Sequence, residues 1–461
     1  MTCWGTGTPL REFLHVDDLG EACVFALEHW QPGPGEQQFL NVGTGLDLTI
    51  RELAEAVAAA TGFQGEILWD NSKPDGTPKK QLDVSRLAEL GWRARIPLAG
   101  GLGRTVALCR RVLSQRPKSL VLLERNEFAL YAIHQELHGK AWAEGIELVP
   151  VLADVADQPR MEMLLRCHGI TVLLHAAAYK HVPLVEANVC AGLANNIFGT
   201  RSALDAAMVC GLKRFTLIST DKAVRPTNVM GASKRVCELL VQDAAARVAK
   251  QGSGPICSMV RFGNVLGSSG SVVPLFREQI ASGGPVTVTH PEITRYFMTI
   301  PEAAQLVLQA TGMAQGGEVF VLDMGEPVKL VDMARQMAEL SGCSIRDSKN
   351  PDGDIAITFT GLRPGEKLYE ELLLSDSDQP TGHPLIRQAQ EKRLGTDELA
   401  ELLDHLEQAL DDWDRQEAVG ILQRLVKEYQ ASSGPAYSAV FSPCGPNQRP
   451  VQQTSEQSGT F

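Results

Sequence analysis

Short apolar runs alternate with longer amphipathic stretches through the middle of the chain. The runs at Ser119–Leu123, Glu147–Leu152, Thr171–His175, Arg214–Ser219 and Ser258–Phe262 have strand length, and stretches with helical periodicity separate them. That alternation predicts an α/β fold: a doubly wound parallel sheet covered by helices on both faces. From Leu399 to Tyr429 apolar residues recur at helical spacing among many charges, which predicts two surface helices. In a doubly wound sheet the first strand lies centrally and leads into a Gly-rich phosphate loop. Here the pattern starts in what reads as the helix after that loop, so the first strand and loop are expected to be missing or replaced.

Three zones follow. Residues 1–106 open directly on strand- and loop-like sequence, 107–430 carry the alternating pattern, and 431–461 are rich in Ser, Gly, Pro and Gln and read as a disordered tail. The 461 residues are 44% hydrophobic and 21% charged, a globular mix. A formal net charge of -12 argues against nucleic acid or an anionic membrane as the main partner. Local Arg and Lys can still bind anionic small molecules. The 10 Cys form no C-x-x-C pair, so a zinc or redox motif is not expected. No signal-like opening and no apolar run of about 18 residues is seen, so the expectation is a cytoplasmic protein with no membrane segment.

The sharpest chemical signal sits at a strand end. Ser219-Thr220-Asp221-Lys222-Ala223 closes an apolar run, and Asn228-Val229-Met230-Gly231-Ala232-Ser233-Lys234 opens a helix. Ligands of doubly wound sheets bind at the carboxyl ends of strands. A carboxylate beside an ammonium at that point suits acid–base work, although a surface turn with a salt bridge would look the same.

This segment resembles the short-chain dehydrogenase/reductase pattern, in the version of the polysaccharide-biosynthesis (CapD-like) 4,6-dehydratases, over about residues 108–430. The resemblance implies a Rossmann-type fold and a catalytic set of Thr220, Asp221, Lys222, Met230 and Lys234. In it Asp221 is the general acid, Lys222 the general base, Lys234 the holder of the nicotinamide ribose, and Thr220 the hydroxyl near the sugar's C4 oxygen. Met230 departs from the Tyr usual in the superfamily; a thioether carries no proton. Lys222 or Lys234 could take the C4 hydroxyl proton if desolvation lowered its pKa.

Further blocks match the same family in order. Glu124 ends the second strand, where a carboxylate receives adenosine ribose hydroxyls and favours NAD; Arg125 beside it leaves NADP open. Asp154 and Val155 take the place of the adenine contact. Ala176 and Ala177 let the chain pass close to the cofactor, while Lys180, His181 and Glu186 would face the sugar. Asn196 falls at the superfamily's structural Asn, grouped here with the cofactor residues. Arg261, Asn264 and Ser268 belong to a Gly- and Ser-rich stretch whose N–H groups suit a pyrophosphate. Arg295, Arg363 and Glu366 complete the expected substrate set, the two guanidinium groups suiting phosphate. The implied reaction converts a UDP-hexose, UDP-N-acetylglucosamine foremost, to a 4-keto-6-deoxy sugar, in a homo-oligomer if the chain folds.

Residues 2–106 resemble a different family, the C-terminal third of GDP-L-fucose synthase. The matching blocks are Thr2-Cys3-Trp4-Gly5-Thr6-Gly7-Thr8-Pro9-Leu10-Arg11, Asn41-Val42-Gly43-Thr44-Gly45 and Ser72-Lys73-Pro74-Asp75-Gly76-Thr77-Pro78-Lys79-Lys80. By that resemblance Trp4, Arg11 and Lys80 contact a GDP group. That family's catalytic triad is absent, so this zone is not expected to be a reductase. Residues 95–106 look Gly-rich, but Leu98 and Arg104 occupy the positions at which a phosphate loop would place glycines around Gly101. The expected switch between families lies between Thr105 and Val112, with residues 93–98 a candidate substitute strand. The alternative to an active dehydratase is an inactive fusion remnant that binds nucleotide sugars or nothing.

Overall fold

The computed structural model describes residues 107–266 and 272–430, except 349, 364 and 372–377. Of the first 106 it describes chiefly 2–12, 40–44, 47–61, 65–70 and 83–90. The substitute strand at 93–98, Ser268 and the 431–461 tail lie outside the described residues.

The chain forms two compact units, residues 1–152 with 266–282, and residues 153–265 with 283–461. The first boundary between these units falls at Leu152.

In the first unit, β1 (Thr2–Trp4) pairs in parallel with β4 (Leu68–Asp70). β2 (Leu10–Glu12) lies between β3 (Asp47–Thr49) and β5 (Lys79–Lys80). α1 (Ile50–Thr61) follows β3, with the Glu52 carboxylate accepting from the Thr49 N–H at 2.7 Å. β6 (Ser119–Glu124) and β7 (Glu147–Leu152) form a parallel pair across α2 (Glu127–Ala143). Leu113, Leu122, Ile133, Leu137 and Ile146 make their core. Asn126 caps α2, its side chain accepting from the Ala129 N–H at 2.9 Å.

The second unit is built on a six-stranded sheet. It comprises β8 (Val172–His175), β9 (Arg214–Ile218), β10 (Ile256–Arg261), β15 (Val319–Leu322), β19 (Gln379–Pro380) and β20 (Ile386–Ala389), in the order β19-β20-β15-β10-β9-β8. β8, β9, β10 and β15 run parallel, and β20 runs antiparallel to β15. The central strands are apolar and buried because helices cover both faces. These helices include α3 (Gln158–Cys167), α4 (Gly199–Val209), α5 (Val229–Gln251) and α6 (Ile300–Met313). α5 is the most deeply set, its residues from Val229 to Ala244 all being buried. It starts at the Asn228 side-chain cap and ends at Gly252, whose φ of 71° suits glycine. Two amphipathic helices, α7 (Thr396–Asp411) and α8 (Arg415–Leu425), close the unit where the periodicity predicts them.

Short ladders complete the unit. β11 (Asn264–Val265) pairs with β14 (Phe297–Met298), and β13 (Thr294–Arg295) with β16 (Val328–Lys329). β18 (Ile355–Phe359) lies between β12 (Val286–Val288) and β17 (Ile345–Arg346).

The predicted strands appear within two residues of their expected limits. Among the described residues β6 pairs only with β7, and β8 only with β9. Val172 on β8 is 44% exposed, unusual for an apolar residue of a parallel strand. Among the described residues no helix is long and apolar enough to cross a membrane.

Candidate functional site

The site is assembled where β9 and β10 end. Thr220 leaves β9 in extended conformation and caps the single turn Asp221–Ala223. Its hydroxyl donates to Asp221 Oδ1 at 2.8 Å. The Asp221 N–H donates to the Phe262 carbonyl just past β10, which fixes the turn against the neighbouring strand. α5 then passes so close that a Cβ on Gly231 would lie 2.2 Å from the Lys222 carbonyl oxygen. Only glycine permits that approach, which ties the first turn of α5 to the Asp221–Lys222 turn.

Asp221 is fully buried. Its Oδ1 accepts from Lys222 Nζ at 3.0 Å, while Oδ2 has no hydrogen-bond partner among the described residues. Lys222 Nζ also lies 3.5 Å from Glu370 Oε1 and 3.5 Å from Asn264 Oδ1. Burial pushes the Lys222 pKa down, but the Asp221 and Glu370 carboxylates outweigh it and the net direction is up. Arg295 Nε stands 3.6 Å from Glu370, and its Nη2 is 3.2 Å from Glu366. Glu366 further accepts from the Thr289 hydroxyl.

The segment carrying Glu366 and Glu370 is pinned beside α5. Gly365, at φ 74°, accepts at its carbonyl from the Thr227 hydroxyl at 2.7 Å and the Asn228 amide at 3.1 Å. Lys367 donates to the Val224 carbonyl at 2.8 Å. Glu370 is absent from the sequence-based candidates. Its position in Tyr369-Glu370-Glu371, after the Pro364-Gly365 turn, was the one available signal.

A second polar group lies along α5. Lys234 is buried, and among the described residues its ammonium has no ion pair or hydrogen bond. Burial lowers its pKa, partly offset by Cys237 and Glu238. Of the two lysines considered for the C4 proton, only Lys234 moves in the required direction. His175 is buried against Thr200, Nε2 to Oγ1 3.0 Å, and burial with Lys234 pushes its pKa down to about 3. Met230 is 3% exposed and offers no titratable group. Lys180 and His181 follow β8; burial lowers both pKa values, helped by Lys222 on Lys180 and by Lys180 on His181.

Several expected residues serve the scaffold instead. Arg261 is fully buried and bound to Glu238 and Glu391, so it is not open to a substrate phosphate. Glu186 does not stand free for a sugar: its carboxylate accepts from the Val229 N–H at 2.6 Å at the start of α5. Asn196, in a π-helical turn (Ala194–Phe198), is fully buried. Its amide bridges both backbone groups of Tyr179 and the Ser233 hydroxyl, which makes it a brace rather than a cofactor contact.

The remaining candidates fall in one unit or the other. Arg363 has an exposed side chain, and its N–H donates to Glu366. Glu124 accepts from the N–H groups of Arg125 and Asn126, each at 2.9 Å. Asp154 accepts from the Ala156 N–H, and Val155 is buried against Gly199. Ala176 and Ala177 are exposed at the end of β8. Arg11 donates to the Leu10 carbonyl on β2. Trp4 and Lys80 lie on β1 and β5, and their side chains are outside the described set. Among the described residues no His, Cys, Asp or Glu cluster could hold a metal.

The NAD dependent epimerase/dehydratase family matches residues 1–43. The capsular polysaccharide biosynthesis protein CapD of Staphylococcus aureus is 50% identical over 285 residues, 61% of this chain and 46% of that protein. A 102-residue stretch, 22% of this chain and 30% of its relative, is 52% identical to a probable GDP-L-fucose synthase of Oryza sativa subsp. japonica. The X-ray structure of Pen from Bacillus thuringiensis superposes with TM-score 0.51 at 33% identity, covering 59% of this chain and 79% of Pen. The chain spans about half the length of the curated polysaccharide relatives it matches. The polysaccharide biosynthesis protein family matches residues 98–391, more than half of the sequence, and the chain belongs to that family.

Proposed function

We propose that residues 107–430 form a nucleotide-sugar 4,6-dehydratase that uses NAD and acts on UDP-N-acetylglucosamine. The observation that carries this reading is the buried Asp221–Lys222 pair at the end of β9, with Asp221 Oδ2 free of any hydrogen bond among the described residues.

The pair suits elimination because its proton can be shared. As an ion pair it holds one proton on Lys222. Transfer across the 3.0 Å contact gives a neutral amine and a carboxylic acid together. The amine takes the proton from C5, and the acid gives its proton to the departing C6 hydroxyl, which leaves as water. Both residues are then back as the ion pair; when hydride reaches C6, Lys222 returns a proton to C5, and exchange of its ammonium with solvent lets that proton come from water. General acid–base assistance of this kind contributes about 10²–10⁴-fold.

NAD, when bound, supplies the oxidation at C4 and the later reduction at C6. The chain fits its nicotinamide-ribose half. The buried Lys234, without a hydrogen-bond partner among the described residues, can donate to ribose hydroxyls and, as the neutral amine that its lowered pKa favours, take the C4 hydroxyl proton that Met230 cannot carry. The exposed Ala176 and Ala177 leave room for close approach. Glu124 is the candidate for the adenosine ribose. Arg295, Asn264, Lys180, His181 and Arg363 are the candidates for the sugar and its diphosphate.

The test is incubation of the purified chain with UDP-N-acetylglucosamine and NAD, followed by NMR. A 4-keto-6-deoxy product is expected, and unchanged substrate would refute the reading. A second reading, a remnant that binds nucleotide sugars without turnover, is favoured by β8 pairing on one side only among the described residues. Titration calorimetry with UDP and GDP sugars separates the two, because the remnant gives binding heat and no product.

A further inference from the structure

We propose that Glu370 is a positioning residue for Lys222, holding it as the charged member of the Asp221–Lys222 pair until the proton is needed. The inference rests on the dehydratase reading for its catalytic meaning.

Lys222 Nζ lies between two carboxylates, Asp221 Oδ1 at 3.0 Å and Glu370 Oε1 at 3.5 Å. Asp221 comes from the same turn, whereas Glu370 comes from a segment far along the chain that Gly365, Lys367 and Arg225 fasten in place. Arg225 pairs with Glu371 at 2.6 Å, and Lys367 reaches the Val224 carbonyl at 2.8 Å. That investment of contacts delivers a carboxylate into a buried spot, where an unpaired charge is costly. Glu370 Oε2 has no hydrogen-bond partner among the described residues, although the residue is only 8% exposed. A carboxylate serving only to neutralise Arg295 would be expected to use both oxygens, as Glu238 does with Arg261, Arg235 and Ser219.

The charged groups facing Lys222 act in opposite senses. Asp221 and Glu370 favour its proton, and Arg295 disfavours it. Lys180 is coupled to it by mutual repulsion. Glu370 therefore biases the pair towards the ion pair and away from the neutral amine and acid that elimination requires. Removing its charge should free Lys222 at lower pH; removing Arg295 should do the reverse.

The test needs no turnover. The full chain is labelled with acetic anhydride across the alkaline range, and the Lys222 and Lys234 peptides are followed by mass spectrometry. In Glu370→Gln the Lys222 midpoint should fall by about one pH unit, giving roughly tenfold faster labelling below the midpoint. The Lys234 midpoint should stay put, and Glu370→Asp should restore much of the Lys222 value. Arg295→Gln should shift Lys222 the opposite way, and it answers the question should Glu370→Gln fail to fold. An unchanged Lys222 midpoint in the folded variants overturns the proposal. Where product forms, the acid limb of its pH profile should move to lower pH in Glu370→Gln. Absence of product from the unmodified chain would sink the dehydratase reading but leave the labelling result standing.

Discussion

Two buried charge clusters lie on the second unit, and they differ in one respect. Around Arg261, the carboxylates of Glu238 and Glu391 meet Arg261 and Arg235, and Ser219 donates to Glu238. Both Glu238 oxygens and Glu391 Oε1 accept hydrogen bonds, while Glu391 Oε2 has none among the described residues but lies 3.5 Å from Arg235 Nη2. Around Lys222, the carboxylates of Asp221 and Glu370 each keep one oxygen without a hydrogen-bond partner among the described residues. A network in which three of four carboxylate oxygens are hydrogen-bonded and the fourth faces a guanidinium stabilises one arrangement, whereas two carboxylates sharing one ammonium have capacity for a substrate hydroxyl. The first cluster braces β9, β10 and α5; the second is where chemistry belongs.

The comparison predicts opposite responses to mutation. Glu238→Gln leaves Arg261 buried with one partner fewer and should cost about 3–5 kcal/mol, read by urea unfolding. If stability is unchanged, the bracing role is wrong. Asp221→Asn should instead lower turnover about 10²–10⁴-fold while the unfolding midpoint changes little. A large loss of stability with activity retained would reverse the assignment of the two clusters.

Gly231→Ala probes the contact between α5 and the Asp221–Lys222 turn. Its Cβ would meet the Lys222 carbonyl at 2.2 Å, so the helix must shift, costing about 1–3 kcal/mol with turnover falling further than stability. Acid sensitivity sharpens the bracing side. The pKa of His175 is about 3 when folded and about 6.5 when unfolded, so the folded state binds fewer protons between those values. Its contribution is complete above about pH 6.5 and shrinks as pH falls towards 3. Glu238 adds a second loss: burial raises its pKa, Arg261 and Arg235 more than reverse this, and the result is about 2. Stability measured from neutral to acid pH should fall in two ranges, first with His175 and then below about 4.5 with Glu238. The smallest effect is expected for Arg363→Ala. Its exposed side chain should change stability by under about 0.5 kcal/mol, so any rise in sugar KM reports direct contact.

The sheet was legible because buried parallel strands are written as short apolar runs, and Asp221-Lys222 was legible because it closes one of them. Arg261 was misread for a local reason. An Arg ahead of a Gly- and Ser-rich stretch looks like a phosphate ligand, while the residues that neutralise it are distant in sequence, Glu391 being 130 positions away. Glu370 was missed for the converse reason. It is one acidic residue among several after the Pro364-Gly365 turn, and only the fold brings it to Lys222. Asn196 and Glu186 were recognisable as polar residues near the site, but their work in bracing α5 depends on contacts that spacing does not encode.

The central claim is that Asp221 and Lys222 exchange protons with the sugar. The direct measurement is the reaction of UDP-N-acetylglucosamine and NAD in deuterated water, followed by NMR for the unmodified chain and for Asp221→Asn. The account predicts a 4-keto-6-deoxy product carrying solvent deuterium at C5, and its near-complete loss in the variant. Product formed equally well by Asp221→Asn would contradict it.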